Sequence, residues 1–238
     1  MADDIQVDMR VSPSLHPDNV KNIDGVAWDD DTAALLAPTY SAFEEAYRGI
    51  AIVHDAREAA RRNPTLNEAA QVIATQDVAD RVFARVAKAI DANVANLKKD
   101  INTIEKELTK PVEALAAHQI SMEVRSFVSK MPQGERLTFL RRAINGGDIK
   151  TASAVLGAPS YLSGLNDELQ AVMLREYHAK HYPQLDKRLK AMKGALTLTM
   201  DRGALLHREL ERGVGKPSHE VERLRQAKLN AERALKSA

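Results

Sequence analysis

The chain of 238 residues contains no cysteine. That excludes disulfides, thiolate zinc sites and a cysteine nucleophile. Aromatic residues are scarce as well, 4% against 44% hydrophobic residues overall. The core must therefore come from aliphatic side chains, chiefly Ala and Leu on helices, and not from β-branched and aromatic strands. An all-α fold follows. Long apolar runs are also missing: no stretch approaches the roughly 20 residues that a membrane helix needs. The start, MADDIQVDMRVSPSL, lacks the basic and apolar regions of a signal peptide. The expectation is a soluble protein made in the cytoplasm and without a membrane partner. There is no Gly-x-Ser-x-Gly elbow around Ser160 or Ser163 and no Gly-x-x-x-x-Gly-Lys loop. The Glu-x-x-His repeats of a di-metal bundle are absent too.

What is present is charge, arranged as a gradient. Residues 1–60 carry four Lys/Arg against twelve Asp/Glu, a net of −8, whereas residues 166–238 carry fifteen against ten, a net of +5. Opposite ends of this kind suit intramolecular docking, head-to-tail association of copies, or an anionic partner for the basic end. Ordinary solvated surface charge accounts for them equally well.

Residues 1–31 show Pro13, Pro17, Gly25 and three aspartates, Asp29 to Asp31, without a helical period, and are expected to form an extended acidic arm. Its apolar handles, among them Val7, Val11, Ile23 and Trp28, can rest on its own fold or on a neighbouring subunit. The aspartates lack the Gly-turn and further oxygens of a calcium loop and suit a helix start before Thr32. A first helix is expected from about Pro38 to Arg62, with Asn63-Pro64 as its stop.

The strongest periodic signal follows. From Phe83, apolar residues fall at Ala87, Ile90, Val94, Leu97, Ile101, Ile104 and Leu108, alternating steps of four and three. This predicts a coiled-coil seam. Asp100 and Glu105 would face like charges in a parallel homodimer, which disfavours that pairing. A second stripe, Leu185, Leu189, Met192, Leu196, Leu206 and Leu210, keeps the same rhythm. The two stripes are expected to pair as a long antiparallel hairpin of helices 65–108 and 166–212 with a helical head at 111–165. Pairing between chains is the alternative. The helical body then spans 32–215. Pro111 and Pro183 should kink or break these helices, and Thr109 can cap a new helix near Pro111 that runs to Lys130.

Within the head, GGDIKTASAVLGAPSYLSGL (146–165) has the outline of a DNA-reading helix-turn-helix. The outline fails: 161–174 has no Lys or Arg to meet phosphate, Pro159 interrupts it, and Ser153 stands where a small apolar residue is usual. Ile149, Ala152, Val155, Leu156, Tyr161, Leu162 and Leu165 are instead expected to pack the head. The stretch RRAINGGDIKTASAVLGAPSYLSGL resembles a block in uncharacterised proteins encoded by tailed phages and prophages. That resemblance implies a virion component, scaffold or assembly factor, and it assigns no functional residues. The charge-polarised helical chain is also similar in general to scaffolding proteins, although those end in a compact basic helix-turn-helix that this chain lacks.

The chain ends in GKPSHEVERLRQAKLNAERALKSA, so that 216–238 reads as one amphipathic helix capped by Ser218. Its stripe is Val221, Leu224, Ala227, Ala231 and Leu235, flanked by Arg223, Arg225, Lys228, Arg233 and Lys236. Glutamates interleave with the bases and no aromatic is there to stack on a nucleobase, so protein docking is favoured over nucleic-acid contact. His178 and His181 lie one helical turn apart beside Glu176 and Tyr182, but a third metal ligand is missing and packing is the better reading. No catalytic residue, metal or cofactor is expected. The sequence thus reads as a non-enzymatic structural or interaction protein, a phage virion or assembly component with paired helices as strut, forming a homo-oligomer or binding other virion proteins. The alternative is a packaged or ejected protein whose basic C-terminal region meets nucleic acid.

Overall fold

A computed structural model describes residues 5–117 and 119–236. Among them are nine α-helices and no strand, so the protein is all-α. The helices are α1 (Asp30–Arg62), α2 (Glu68–Ala116), α3 (Gln119–Ser129), α4 (Gln133–Asn145) and α5 (Ile149–Leu156). There follow α6 (Asp167–His181), α7 (Pro183–Gly203), α8 (Leu206–Val214) and α9 (Ser218–Lys236). The chain forms two compact bodies: residues up to Leu97 together with those from Gly194 onward, and Lys98–Lys193. The division falls inside α2 and α7, and the first body includes both the N-terminal segment and α9. This differs from the three consecutive segments read from the sequence.

Two prolines behave differently from expectation, for one reason. Helix α1 starts at Asp30, eight residues before Pro38, because Asp29 builds a capping box. Its carboxylate accepts from the Thr32 amide at 3.1 Å while its own amide donates to the Thr32 hydroxyl at 2.8 Å. Helix α2 likewise runs through Pro111 to Ala116, and the Thr109 hydroxyl donates back to the Glu105 carbonyl at 2.7 Å without capping a new helix. Proline deprives the carbonyl four residues earlier of its donor. Those carbonyls belong to Ala34 and Glu107, both exposed residues where water can serve. Pro183 does mark a break, as the first residue of α7 after the α6 cap at Tyr182.

In the first body the N-terminal segment is not extended. It coils into short 3-10 turns, Pro13–Leu15 and Pro17–Asn22, and buries Val11, Leu15 and Val20. The Tyr47 hydroxyl accepts from the Asp8 amide at 2.7 Å, and Arg10 bridges Asp8, Asp55 and Glu58 at 2.7, 2.8 and 3.3 Å. The Arg10 guanidinium holds the Asp8 carboxyl down to about 2. Buried Glu209 of α8 accepts from the Ser12 amide at 3.1 Å. The segment thereby closes a core built from Tyr47, Ile50 and Val53 of α1, Val82 and Val86 of α2, and Leu206 and Leu210 of α8.

The inward face of α2 does not follow the expected heptads. Thr75, Ala79, Val82, Val86, Asn93, Leu97, Ile101, Ile104, Leu108 and Val112 are buried, whereas Phe83 is exposed and Ala87 and Val94 are only half-buried. The burial pattern repeats every eleven residues, as in Val82, Asn93 and Ile104, or Val86, Leu97 and Leu108. Eleven residues over three turns give 3.67 per turn, close to a straight helix and opposite in sense to the 3.5 of a left-handed coiled coil. At the centre of this face the Asn93 carboxamide accepts from the Thr39 hydroxyl of α1 at 3.1 Å and donates to the Thr199 hydroxyl of α7 at 3.3 Å. Asn93 is 4% exposed, and the bonded triad ties three helices at one register. The Thr199 hydroxyl itself donates to the Ala195 carbonyl at 2.7 Å.

The second body is organised around α5, in which residues 152–156 are all buried. Arg125, also buried, donates from one Nη1 to the carbonyls of Ala116 and Ala154 at 3.0 and 2.9 Å, so that one guanidinium joins the end of α2 to α5. Gly157 ends α5 against α2: a Cβ there would overlap the Val112 carbonyl and meet the Ala116 Cβ at 2.8 Å. The Ser153 hydroxyl shares a hydrogen bond with the Tyr177 hydroxyl at 3.3 Å, which explains a polar residue at that core position. Ala152, Val155, Leu156 and Leu165 are buried, but Ile149, Tyr161 and Leu162 face outward, contrary to the expected head core. The 3-10 turn Ser160–Leu162 directs Ser160 and Ser163 inward, and their hydroxyls are bonded to Asp167 and to the Ser160 carbonyl.

Candidate interaction surface

The seam residues divide by burial. Leu97, Ile101, Ile104, Leu108, Met192, Leu206 and Leu210 are buried, and Ile90, Val94, Leu185, Leu189 and Leu196 are half-buried. In the first body Ile90 of α2 lies by Gly203 of α7, and Asn93 bonds Thr199, so that the two helices meet with opposite directions. In the second body Glu105 of α2 pairs with Lys193 of α7 at 2.6 Å. The missed signal is Asn93: a polar residue scores against a seam unless its two threonine partners, 54 and 106 residues away, are foreseen.

The histidine pair is interior. His178 is buried and His181 half-buried, the Tyr177 ring centroid lies 5.8 and 4.6 Å from theirs, and neither Nε2 has a hydrogen-bond partner among the described residues. Among the described residues no three His, Cys, Asp or Glu side chains come together as a metal cluster. Burial pushes the His178 imidazole below its ordinary value, partly opposed by the Asp186 carboxylate and the Leu108 backbone. Because the folded protein resists that proton, the unfolded chain takes it up first as pH falls below about 6.5. Stability contributed by neutral His178 is complete above that pH and declines toward its lower folded value. A thermal unfolding series from about pH 7.5 to pH 5 should show this decline, and His178→Gln should reduce it, leaving the part due to His54, which burial also holds below its ordinary value.

Helix α9 begins tightly held. The Glu211 carboxylate accepts from the Ser218 amide and hydroxyl at 2.9 and 2.6 Å, and Val221 is buried in the first-body core. Arg225 is held at 2.6 Å by Asp77 and at 2.7 Å by Asp80 of α2, and these carboxylates raise its affinity for the proton. Arg225 thus clamps α9 to its own body, which removes it from the cations open to a partner. Beyond it the packing stops: every residue from Gln226 to Lys236 is exposed, Leu235 at 79%. Lys228 lies 3.9 Å from Glu232, while Arg223, Arg233 and Lys236 make no ion pair among the described residues. The outer half of α9 therefore presents Ala227, Ala231 and Leu235 as a narrow apolar stripe with Lys228 beside it and Arg233 and Lys236 farther round the helix.

No helix is long and apolar enough to cross a membrane among the described residues. Compared with protein-family models, curated proteins and solved structures, the chain matches none of them.

Proposed function

We propose that this is a non-enzymatic interaction protein, with paired helices α2 and α7 as strut and the outer half of α9 as the helix that docks on another protein. The observation that carries this reading is the exposed run 226–236, helical yet unpacked. The run continues a helix anchored at Ser218–Arg225 but has no packed face of its own, and helices in proteins gain most of their stability from such a face. A second protein supplies that face. The likeness of 141–165 to phage-encoded proteins adds a setting, a virion or assembly component.

Nucleic acid is the second reading, favoured by Arg223, Lys228, Arg233 and Lys236. Against it stand the engagement of Arg225 by two aspartates and the closeness of Glu232 to Lys228. A chain truncated after Gln226 separates the two. It is expected to unfold at the same temperature as the full chain, since it loses only exposed residues. In a sized native extract the full chain should run in a larger complex and the truncated chain alone. Identical migration contradicts the docking role, and a complex that nuclease dissolves selects the second reading.

A further inference from the structure

We propose that a groove of the second body receives the outer half of α9 from another copy of this chain. This rests on the reading of α9 as a docking helix and names what it docks on. The groove lies between residues 109–113 of α2, the turn at 156–161 and the first turns of α6. Val112 and Leu156 lie buried beneath its floor, Pro159 and Leu174 are the apolar residues that reach its surface, and its two charged residues are Glu113 and Asp167, with no cation among the lining side chains. The walls are set in advance. Gly157, lacking a side chain, sits directly on α2, and Gln170 donates to the Leu156 and Ala158 carbonyls at 2.8 and 2.7 Å. The Ser160 hydroxyl holds Asp167 at 2.5 Å. Tyr161, on the rim, is 75% exposed, and Glu113 is exposed with no ion pair among the described residues.

A groove of this chemistry selects a segment that is apolar on one side and basic beside it. Two carboxylates and no base repel a phosphate backbone, which excludes nucleic acid as occupant. The outer half of α9 has the complementary character: Ala227 and Ala231 keep its inner face slim, Leu235 provides an apolar anchor, Lys228 stands beside that stripe, and Arg233 and Lys236, farther round the helix, add to its positive charge. A contact between one patch and a different patch of the next copy is heterologous, so each copy offers one helix and one groove.

That asymmetry gives the test. One variant, Glu113→Lys with Tyr161→Asp, spoils the groove and keeps the helix; the other, truncated after Gln226, keeps the groove and lacks the helix. Both alter exposed positions and should unfold at the temperature of the parent. By light scattering behind a sizing column at low salt, the parent should exceed the monomer mass and return to it in about 1 M salt, where the Debye length is about 3 Å. Each variant alone should be a monomer, and their equal mixture should form a dimer of one of each. A monomeric parent at low salt overturns the proposal, as does a mixture that stays monomeric. If truncation abolishes assembly while the groove variant assembles like the parent, α9 docks elsewhere; the groove assignment falls and the docking role of α9 stands.

Discussion

Asn93→Asp should destabilise the first body by about 3 to 5 kcal/mol at neutral pH, the cost of an uncompensated charge in a buried site. The carboxamide works because it has both polarities. Its oxygen accepts from Thr39 and its nitrogen donates to Thr199, whose own proton is committed to the Ala195 carbonyl. A carboxylate of the same shape would keep the first bond and set an anion against the lone pairs of the Thr199 oxygen. Among the described residues no cation is hydrogen-bonded to this site to balance it. The loss should depend on pH with a defined sign. Burial raises the folded pKa of the introduced carboxyl above the unfolded 3.9, so stability is recovered as pH falls through the raised value and is lost as pH rises above 3.9. Chemical denaturation of the variant at about pH 4 and pH 7 measures this. Asn93→Leu, which leaves only Thr39 without its acceptor, should cost less, about 1 to 3 kcal/mol.

The second large effect is steric. Gly157→Val should destabilise the second body by about 3 kcal/mol or more, at the upper end of overpacking, because the obstacle is backbone. A Cβ at this position falls on the Val112 carbonyl and 2.8 Å from the Ala116 Cβ, and neither can swing away as the end of a long side chain would. Its φ of −87° is ordinary for any residue, so close approach and not backbone strain requires glycine here. Relief would require α5 to lift from α2, which also breaks the Arg125 bonds to Ala116 and Ala154. Gly134→Ala, at a glycine with nothing within 4 Å of an added Cβ, is the control and should unfold with the parent.

Much of the secondary structure was legible because it rests on composition and capping. Few aromatics, abundant Ala and Leu, Asp148 as a cap and Asn63 as a stop all act locally, within a turn of the residue concerned, whereas Ser218 is the first residue of α9 and its hydroxyl donates to Glu211 without capping the helix. Sequence misleads where a distant contact decides. On α2, Val82 and Phe83, Val86 and Ala87, and Asn93 and Val94 are adjacent choices. A heptad selects Phe83, Ala87 and Val94, whereas the fold buries Val82, Val86 and Asn93. Hydrophobicity alone could not prefer an asparagine to a valine. Pro38 and Pro111 were read as helix boundaries because sequence does not disclose whether the orphaned carbonyl faces water. Nor do the irregular apolar residues of the N-terminal segment reveal that Tyr47, Arg10 and Glu209 fasten it down.

The interaction surface was legible in part. The stripe of α9 and its basic flank are visible in the sequence, and so is the acidic character of the opposite end. The engagement of Arg225 by Asp77 and Asp80 is not, since those residues lie 148 and 145 positions away. The groove beside Gly157 was hidden for a similar reason. The motif GAPSYL reads as a turn that should bury Tyr161, and only the packing of Ser160 and Ser163 turns that ring outward.

A photo-crosslinking residue at Ala231, introduced in the cells that make the protein, examines the role of α9 most directly. Ala231 is exposed on the apolar stripe, so a docked partner must lie within reach of it. One defined protein adduct is expected, which disappears when the same residue is placed at Asn96, on the exposed side of α2. A nucleic-acid adduct, or no adduct under conditions that label freely colliding proteins, would contradict that role.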